Sequence, residues 1–200
     1  VYGVNHADDY DGEDIVSNAS CTTNSVTPVA KVLDDAFGFE QGQMTTIHAY
    51  TNDQPLLDQP HKDIYRARSA GQNMIPTSTG AAQAVGQVLP HLHGKLDGMA
   101  VRVPTANVSM VDLHALLQRE VDVEDMKQTL SRAAETSLQG VLAVNSEPLV
   151  SIDYNHRPES SIVDLPQLRA IGRQVKVISW YDNEWGFANR MLDVVQHMQG

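Results

Sequence analysis

Ser17-Asn18-Ala19-Ser20-Cys21-Thr22-Thr23-Asn24 contains the only cysteine of the 200-residue chain. The stretch also marks a change of local structure. Upstream, Asp14-Ile15-Val16-Ser17 is short and β-like. Downstream, Val26, Val29, Ala30, Leu33, Ala36 and Phe37 recur at helical spacing. The pattern predicts a strand-to-helix junction, with a helix from about Cys21 to Phe37, bent at Pro28 and stopped by Gly38. The free N–H groups of that helix start favour negative charge, so the thiolate is expected to form more easily than at the free pKa of ~8.5. A cysteine that fills a core is flanked by apolar residues. This one is flanked by hydroxyls and amides, which reads as a nucleophile.

Outward from this junction the chain alternates short elements. Val1-Tyr2-Gly3-Val4-Asn5 reads as a strand already under way, followed by an acidic turn to Asp14. Met44 to Tyr50 is a strand. Thr51 to Pro76 is irregular, and loops of that length are usually functional. Gly80 to Leu89 reads as a helix ended by Pro90. Met99 to Val103 and Val108 to Leu117 are strands, and Asp122 caps a helix from Val123 to Leu138. Val141 to Val144, Leu149 to Tyr154, Ser161 to Asp164 and Val175 to Tyr181 are further strands, and Glu184 to Met198 is a last helix. Strands outnumber helices and several follow one another directly. The expected fold is therefore α+β: a mixed, largely antiparallel sheet with helices packed on one face, forming one domain over residues 1–200.

Composition narrows the function. A 42% hydrophobic, 20% charged chain is an ordinary globular domain. No apolar run reaches the ~18 residues of a membrane helix. A formal charge of −11 argues against nucleic acid or an anionic membrane as a partner. A single Cys excludes an internal disulfide framework and points to the cytoplasm. Lys62, Arg66 and Arg68 cluster on this acidic chain, as an anion site or as a solvated strip.

Candidate chemistry follows from residue type and place. Cys21 needs a base, and His48 lies near the end of a strand, just before the long loop; the same position suits a half-buried histidine with a satisfied hydrogen bond. His91-Leu92-His93 puts two imidazoles on one side of an extended segment, without a convincing third ligand, so no metal is expected. Pro76-Thr77-Ser78-Thr79-Gly80-Ala81 opens a helix with hydroxyls and a glycine, which serves either as a cap or as an anion cradle. Arg102 sits in the apolar run Ala100-Val101-Arg102-Val103, where it requires an anionic partner: a ligand phosphate or a structural carboxylate. No G-x-G-x-x-G fingerprint follows a strand, so the chain carries no dinucleotide motif of its own.

Taken together, the Cys21 stretch, Thr46-Ile47-His48-Ala49-Tyr50-Thr51-Asn52-Asp53-Gln54, Val101-Arg102-Val103-Pro104-Thr105 and Trp180-Tyr181-Asp182-Asn183-Glu184-Trp185-Gly186 closely resemble phosphorylating glyceraldehyde-3-phosphate dehydrogenases. The likeness runs over essentially the whole chain and covers the family's catalytic half. It implies that the amino-terminal nucleotide-binding half is missing here. It also implies Cys21 as nucleophile and His48 as ion-pair partner and base. Thr51, Asp53 and Arg102 would hold the substrate phosphate. Ser20, Arg66, Thr79 and Gly80 would hold inorganic phosphate. Asn183 would hold the carboxamide of NAD, with NADP left open by Gln59 and NAD favoured by Pro60. The substrates implied are glyceraldehyde 3-phosphate and inorganic phosphate, in a cytoplasmic homotetramer. Ser25 stands where many members have a second cysteine, and Phe187 where a tyrosine is common.

Three rivals remain at this point. Erythrose-4-phosphate dehydrogenase shares the cysteine stretch, although the intact Tyr50-Thr51-Asn52-Asp53 favours the triose. A redox-inactive thiol esterase or acyl-phosphate hydrolase would use Cys21 and His48 alone. An oligomerisation module would use only the sheet face. The isolated chain is expected to react at sulfur without dehydrogenase turnover.

Overall fold

The computed structural model describes residues 1–199. In chain order its elements are α1 (His6–Asp9), α2 (Cys21–Phe37), β1 (Phe39–Ala49), β2 (Ile75–Ser78), α3 (Ala81–Val88), β3 (Leu96–Val103), β4 (Ser109–Leu117), α4 (Val123–Glu135), β5 (Leu142–Asn145), β6 (Ser161–Asp164), β7 (Arg169–Ile171), β8 (Gln174–Tyr181) and α5 (Trp185–Gln199). The periodic run after Cys21 forms α2 with the predicted bounds. Pro28 lies inside this helix without ending it. Gly38 ends it with φ 74°, a left-handed conformation that glycine adopts at low cost, and its N–H closes on Asp34 O at 2.8 Å.

The strands form one sheet in the order β2-β3-β1-β4-β8-β6-β5, with β7 paired on β8. β1 runs parallel to β3, and β5 parallel to β6; the other pairings are antiparallel. The fold is thus the expected mixed, largely antiparallel α+β arrangement. Its main core lies between α2, α3 and α4 and the covered sheet face, and includes Leu33, Phe37, Phe39, Met44, Leu113, Leu117, Met126, Leu130 and Val177. Asp122 caps α4 as predicted, its carboxylate accepting the Asp125 N–H at 2.8 Å.

Several expectations fail locally. Val1–Asn5 is a turn, closed by the Val4 and Asn5 N–H groups on Val1 O at 3.1 Å, rather than a strand. Asp14–Ser17 joins no sheet, and Ile15 is 89% exposed. The junction before Cys21 therefore runs from loop to helix, because these β-formers have no neighbouring strand to pair with. Leu149–Tyr154 is not a strand: Ser151–Tyr154 is a 3-10 turn, closed by the Asp153 N–H on Val150 O and the Val150 N–H on the Asp153 carboxylate. Pro76 lies in β2, not at a helix start. β2 pairs only with β3, and an edge strand tolerates a residue without an N–H. β7 escapes a pattern reading because three residues show no period.

Gly98 lets β3 lie close against β1: a Cβ there would stand 2.5 Å from Met44 O and 2.6 Å from Met44 Cγ. Gly98→Ala is expected to destabilise the chain by about 1–3 kcal/mol through overpacking. Gly71→Ala, where a Cβ meets nothing within 4 Å, serves as the near-neutral control in urea unfolding.

Candidate active site

The chain enters α2 through Ala19, whose φ of 56° is left-handed and uncommon for a residue with a Cβ. Two local devices hold this turn. Ser20 is the N-cap, its Oγ accepting the Thr23 N–H at 3.0 Å. Asn24 Nδ2 donates to Asn18 O at 2.7 Å and to Ser20 O at 2.9 Å. Cys21 is thereby fixed as the first helical residue, half-buried. Behind it, the Tyr181 hydroxyl bonds Thr22 Oγ1 and Thr46 Oγ1, each at 2.8 Å, and so ties the helix start to β1 and β8.

The strand register delivers the partners. His48 on β1 stands directly opposite Arg102 on β3. His48 Nε2 is 3.5 Å from Cys21 Sγ, and His48 Nδ1 is 2.7 Å from Ala49 O. Arg102 Nη1 lies 2.9 Å from both His48 Nδ1 and Ala49 O, and 3.5 Å from Thr51 Oγ1. Nδ1 can either donate to Ala49 O or accept from Arg102 Nη1, and only the first tautomer leaves the Nε2 lone pair free for the cysteine proton. Arg102 has no carboxylate partner among the described residues, and its Nε is buried with no hydrogen bond. Of the two partners offered for it by sequence, the structural carboxylate is not found among the described residues.

Burial sets the charge state of the pair. It pushes the Cys21 thiol above its ordinary value; the Thr22 hydroxyl and N–H, Arg102 and Cys21's own N–H pull the other way and do not outweigh it. The expectation of an easily formed thiolate is thus reversed, because the helix start that favours charge is also desolvated. Burial, then the Arg102 and Arg66 cations, push His48 down to about 4. Both shifts favour the uncharged forms, a thiol and a neutral imidazole.

The other expected residues are spread over an ion pair, two clefts and a buried hydrogen bond. Asp53 and Arg66, assigned to different phosphates, are ion-paired with each other, and Arg66 Nε also donates to Thr77 Oγ1 at 2.8 Å. Ser20, Thr79 and Gly80 line one cleft of about 470 Å³ beside α3. Thr51 and Asp53 line another, with Tyr50, Gln54 and Glu184. Asn183 is buried; its Oδ1 accepts the Ser109 hydroxyl at 2.8 Å, and the same hydroxyl accepts the Ala49 N–H. His91 is taken up by Asp34 at 2.7 Å. Among the described residues, no group of three or more His, Cys, Asp or Glu could hold a metal. No helix among them is long and apolar enough to cross a membrane.

Sequence reasoning missed Tyr181, Ser109 and Asp182. Asp182 is 1% exposed and its carboxylate accepts from Asn107 Nδ2 and from the N–H groups of His156, Glu184 and Trp185. An Asp three residues before Trp185 is a legible cap signal for α5. The roles of Tyr181 and Ser109 depend on cross-strand partners that only the register reveals.

Fold and site together define an α+β domain with a cysteine–histidine pair flanked by arginines. The family model for the C-terminal domain of glyceraldehyde 3-phosphate dehydrogenase matches residues 20–183. Glyceraldehyde-3-phosphate dehydrogenases of Xanthobacter flavus and Cereibacter sphaeroides are each 57% identical to the chain over 199 residues, and that of Pseudomonas aeruginosa 59% over 193. These alignments take in 99%, 99% and 96% of the chain and 59%, 60% and 57% of the relatives. The chain belongs to the glyceraldehyde 3-phosphate dehydrogenase family, as its C-terminal domain, and spans about 60% of the length of these relatives.

The depressed His48 makes a testable pH dependence. Its folded value of about 4 lies below the ordinary 6.5, so between those values the unfolded chain binds a proton that the native state refuses. Stability is fully present above 6.5 and is lost as pH falls toward 4. From pH 7 to pH 5 this one group removes about 2 kcal/mol. In urea unfolding, His48→Gln should shrink the pH 7 to pH 5 stability difference by that amount; an unchanged difference would show that His48 is not a buried neutral imidazole.

Proposed function

We propose that the chain is the catalytic domain of a phosphorylating glyceraldehyde-3-phosphate dehydrogenase. The observation that carries this reading is the 3.5 Å approach of Cys21 Sγ to His48 Nε2, beside an arginine with no carboxylate of its own. Cys21 Sγ adds to the aldehyde carbonyl, giving a thiohemiacetal. His48 Nε2 takes the thiol proton as Sγ adds, returns it to the resulting oxyanion, and takes it again from the thiohemiacetal hydroxyl in the oxidation to the thioester. The Cys21 N–H and His48 hold the developing oxyanion. The thioester on Cys21 is then cleaved by inorganic phosphate, giving an acyl phosphate.

A nicotinamide cofactor, when bound, accepts the hydride from the thiohemiacetal carbon. Asn183 fits its carboxamide: Oδ1 is fixed by Ser109, and Nδ2 makes no hydrogen bond to a described residue. NAD is the cofactor proposed, with NADP the alternative, and its nucleotide portion would be held by a domain outside these 200 residues. The assembly proposed is a cytoplasmic homotetramer.

Arg102 and Thr51 would receive the substrate phosphate, with Asp53 beside them. Ser20, Thr79, Gly80 and Arg66 would receive the attacking phosphate. Arg102 couples binding to chemistry. Its cation helps keep His48 deprotonated. A phosphate dianion on Arg102 offsets that charge, so His48 becomes a stronger base when substrate is present.

Iodoacetamide alkylation of Cys21 tests this. In the free chain the rate should inflect above the ordinary thiol value of ~8.5, and glyceraldehyde 3-phosphate should protect. Arg102→Leu should raise the protecting concentration by about tenfold or more, as loss of a charge-assisted contact implies. Protection that ignores Arg102, or no protection of the wild-type chain, would rule the reading out.

A further inference from the structure

The two site arginines stand in opposite states. Arg102 has no carboxylate partner among the described residues. Arg66 is fully engaged: Nη1 pairs with Asp53, Nε donates to Thr77 Oγ1 at 2.8 Å, and Nη2 reaches Ser78 O at 3.3 Å. Asp63 adds a second carboxylate 3.6 Å from Nε, but its Oδ2 is also bonded to the Thr77 hydroxyl at 2.8 Å. Asp53 alone has somewhere else to go. Its Oδ1 lies 3.7 Å from His61 Nε2, and His61 is held in place through Nδ1 by the Asp63 N–H at 3.0 Å. Asp53 is 42% exposed at its side chain and Arg66 20%, so the pair is open to exchange with a dissolved anion.

We infer that Asp53 is an internal competitor at Arg66, which inorganic phosphate must displace, the carboxylate then turning to His61. The inference rests on the reading of Ser20, Arg66, Thr79 and Gly80 as the site of the attacking phosphate. The exchange leaves no charge stranded: Arg66 trades one anion for another, and Asp53 trades a guanidinium for an imidazole. It also makes Asp53 a determinant of specificity. A monoanionic carboxylate that replaces Asp53 gains nothing, since it offers what Asp53 already supplies. Phosphate brings a second charge and more acceptor oxygens than a carboxylate.

The experiment is protection of Cys21 from iodoacetamide by inorganic phosphate, compared with acetate. Asp53→Asn should lower the half-protecting phosphate concentration by about two- to fivefold, the range a partly exposed ion pair carries, and should admit acetate as a protectant. Asp58→Asn removes the same charge from the same loop, but from Arg68; it should leave phosphate protection unchanged. In an Arg66→Gln background, Asp53→Asn should add nothing. An equal gain from Asp58→Asn, or a gain that survives Arg66→Gln, would reduce the effect to bulk charge and overturn the inference. Phosphate protection that is the same in wild type and Asp53→Asn would overturn it alone. Absence of protection by phosphate in every variant would overturn the site reading and this inference together.

Discussion

One buried phenol oxygen holds Cys21 and His48 in register. The Tyr181 hydroxyl bonds a threonine next to Cys21 and a threonine two residues before His48, each at 2.8 Å. Tyr181 is 1% exposed and ends β8, so its position is set by the sheet and the core together. Without this bridge, the thiol would sit on a helix and the imidazole on a strand with only packing between them. A fully satisfied buried polar contact defines distance more sharply than apolar packing, because its loss would leave two hydroxyls unpaired at about 1–3 kcal/mol each.

The same burial that fixes the geometry opposes the charges the chemistry needs. Desolvation raises the thiol and lowers the imidazole, and the arginines lower the imidazole further. The thiol and the imidazole both favour their uncharged forms, beside the Arg102 guanidinium, which has no carboxylate partner among the described residues. On the function proposed above, a phosphorylated ligand on Arg102 would offset the charge that suppresses the base.

The elements legible from sequence were those whose signal is local. α2 shows a helical period and a glycine stop; α4 shows a capping aspartate; β6 is a short apolar run between polar turns. Cys21 and Arg102 could be picked out because residue type and immediate neighbours disagreed with a bland role, and His48 by its place near a strand end, a position that equally suits a half-buried, hydrogen-bonded histidine. What could not be read is what depends on pairing. Val1–Asn5, Asp14–Ser17 and Leu149–Tyr154 have β-like composition but no strand beside them. The link between Asp53 and Arg66 spans 13 positions inside an aperiodic loop. The thiol's pKa direction failed for a related reason: a helix start announces itself in sequence, whereas the depth at which it is buried does not.

That loop has its own logic. From Pro55 to Ala70 it is closed by polar bonds to itself: Ser69 Oγ to Leu56 O, the Ser69 N–H and Arg68 to Asp58, the Ala70 N–H to Pro55 O and the Gln59 N–H to Ala67 O. Leu56, Leu57, Ile64 and Tyr65 point outward, 62–84% exposed. A segment held by local polar bonds and little buried apolar area opens at lower cost than the sheet it leaves. Arg66 rides on this segment, whereas Arg102 is set into β3 within the sheet. The domain thus gives its two site arginines different settings: Arg102 is fixed in the sheet opposite His48, whereas Arg66 sits on a loop that its bonds to Thr77 and Ser78 join to β2.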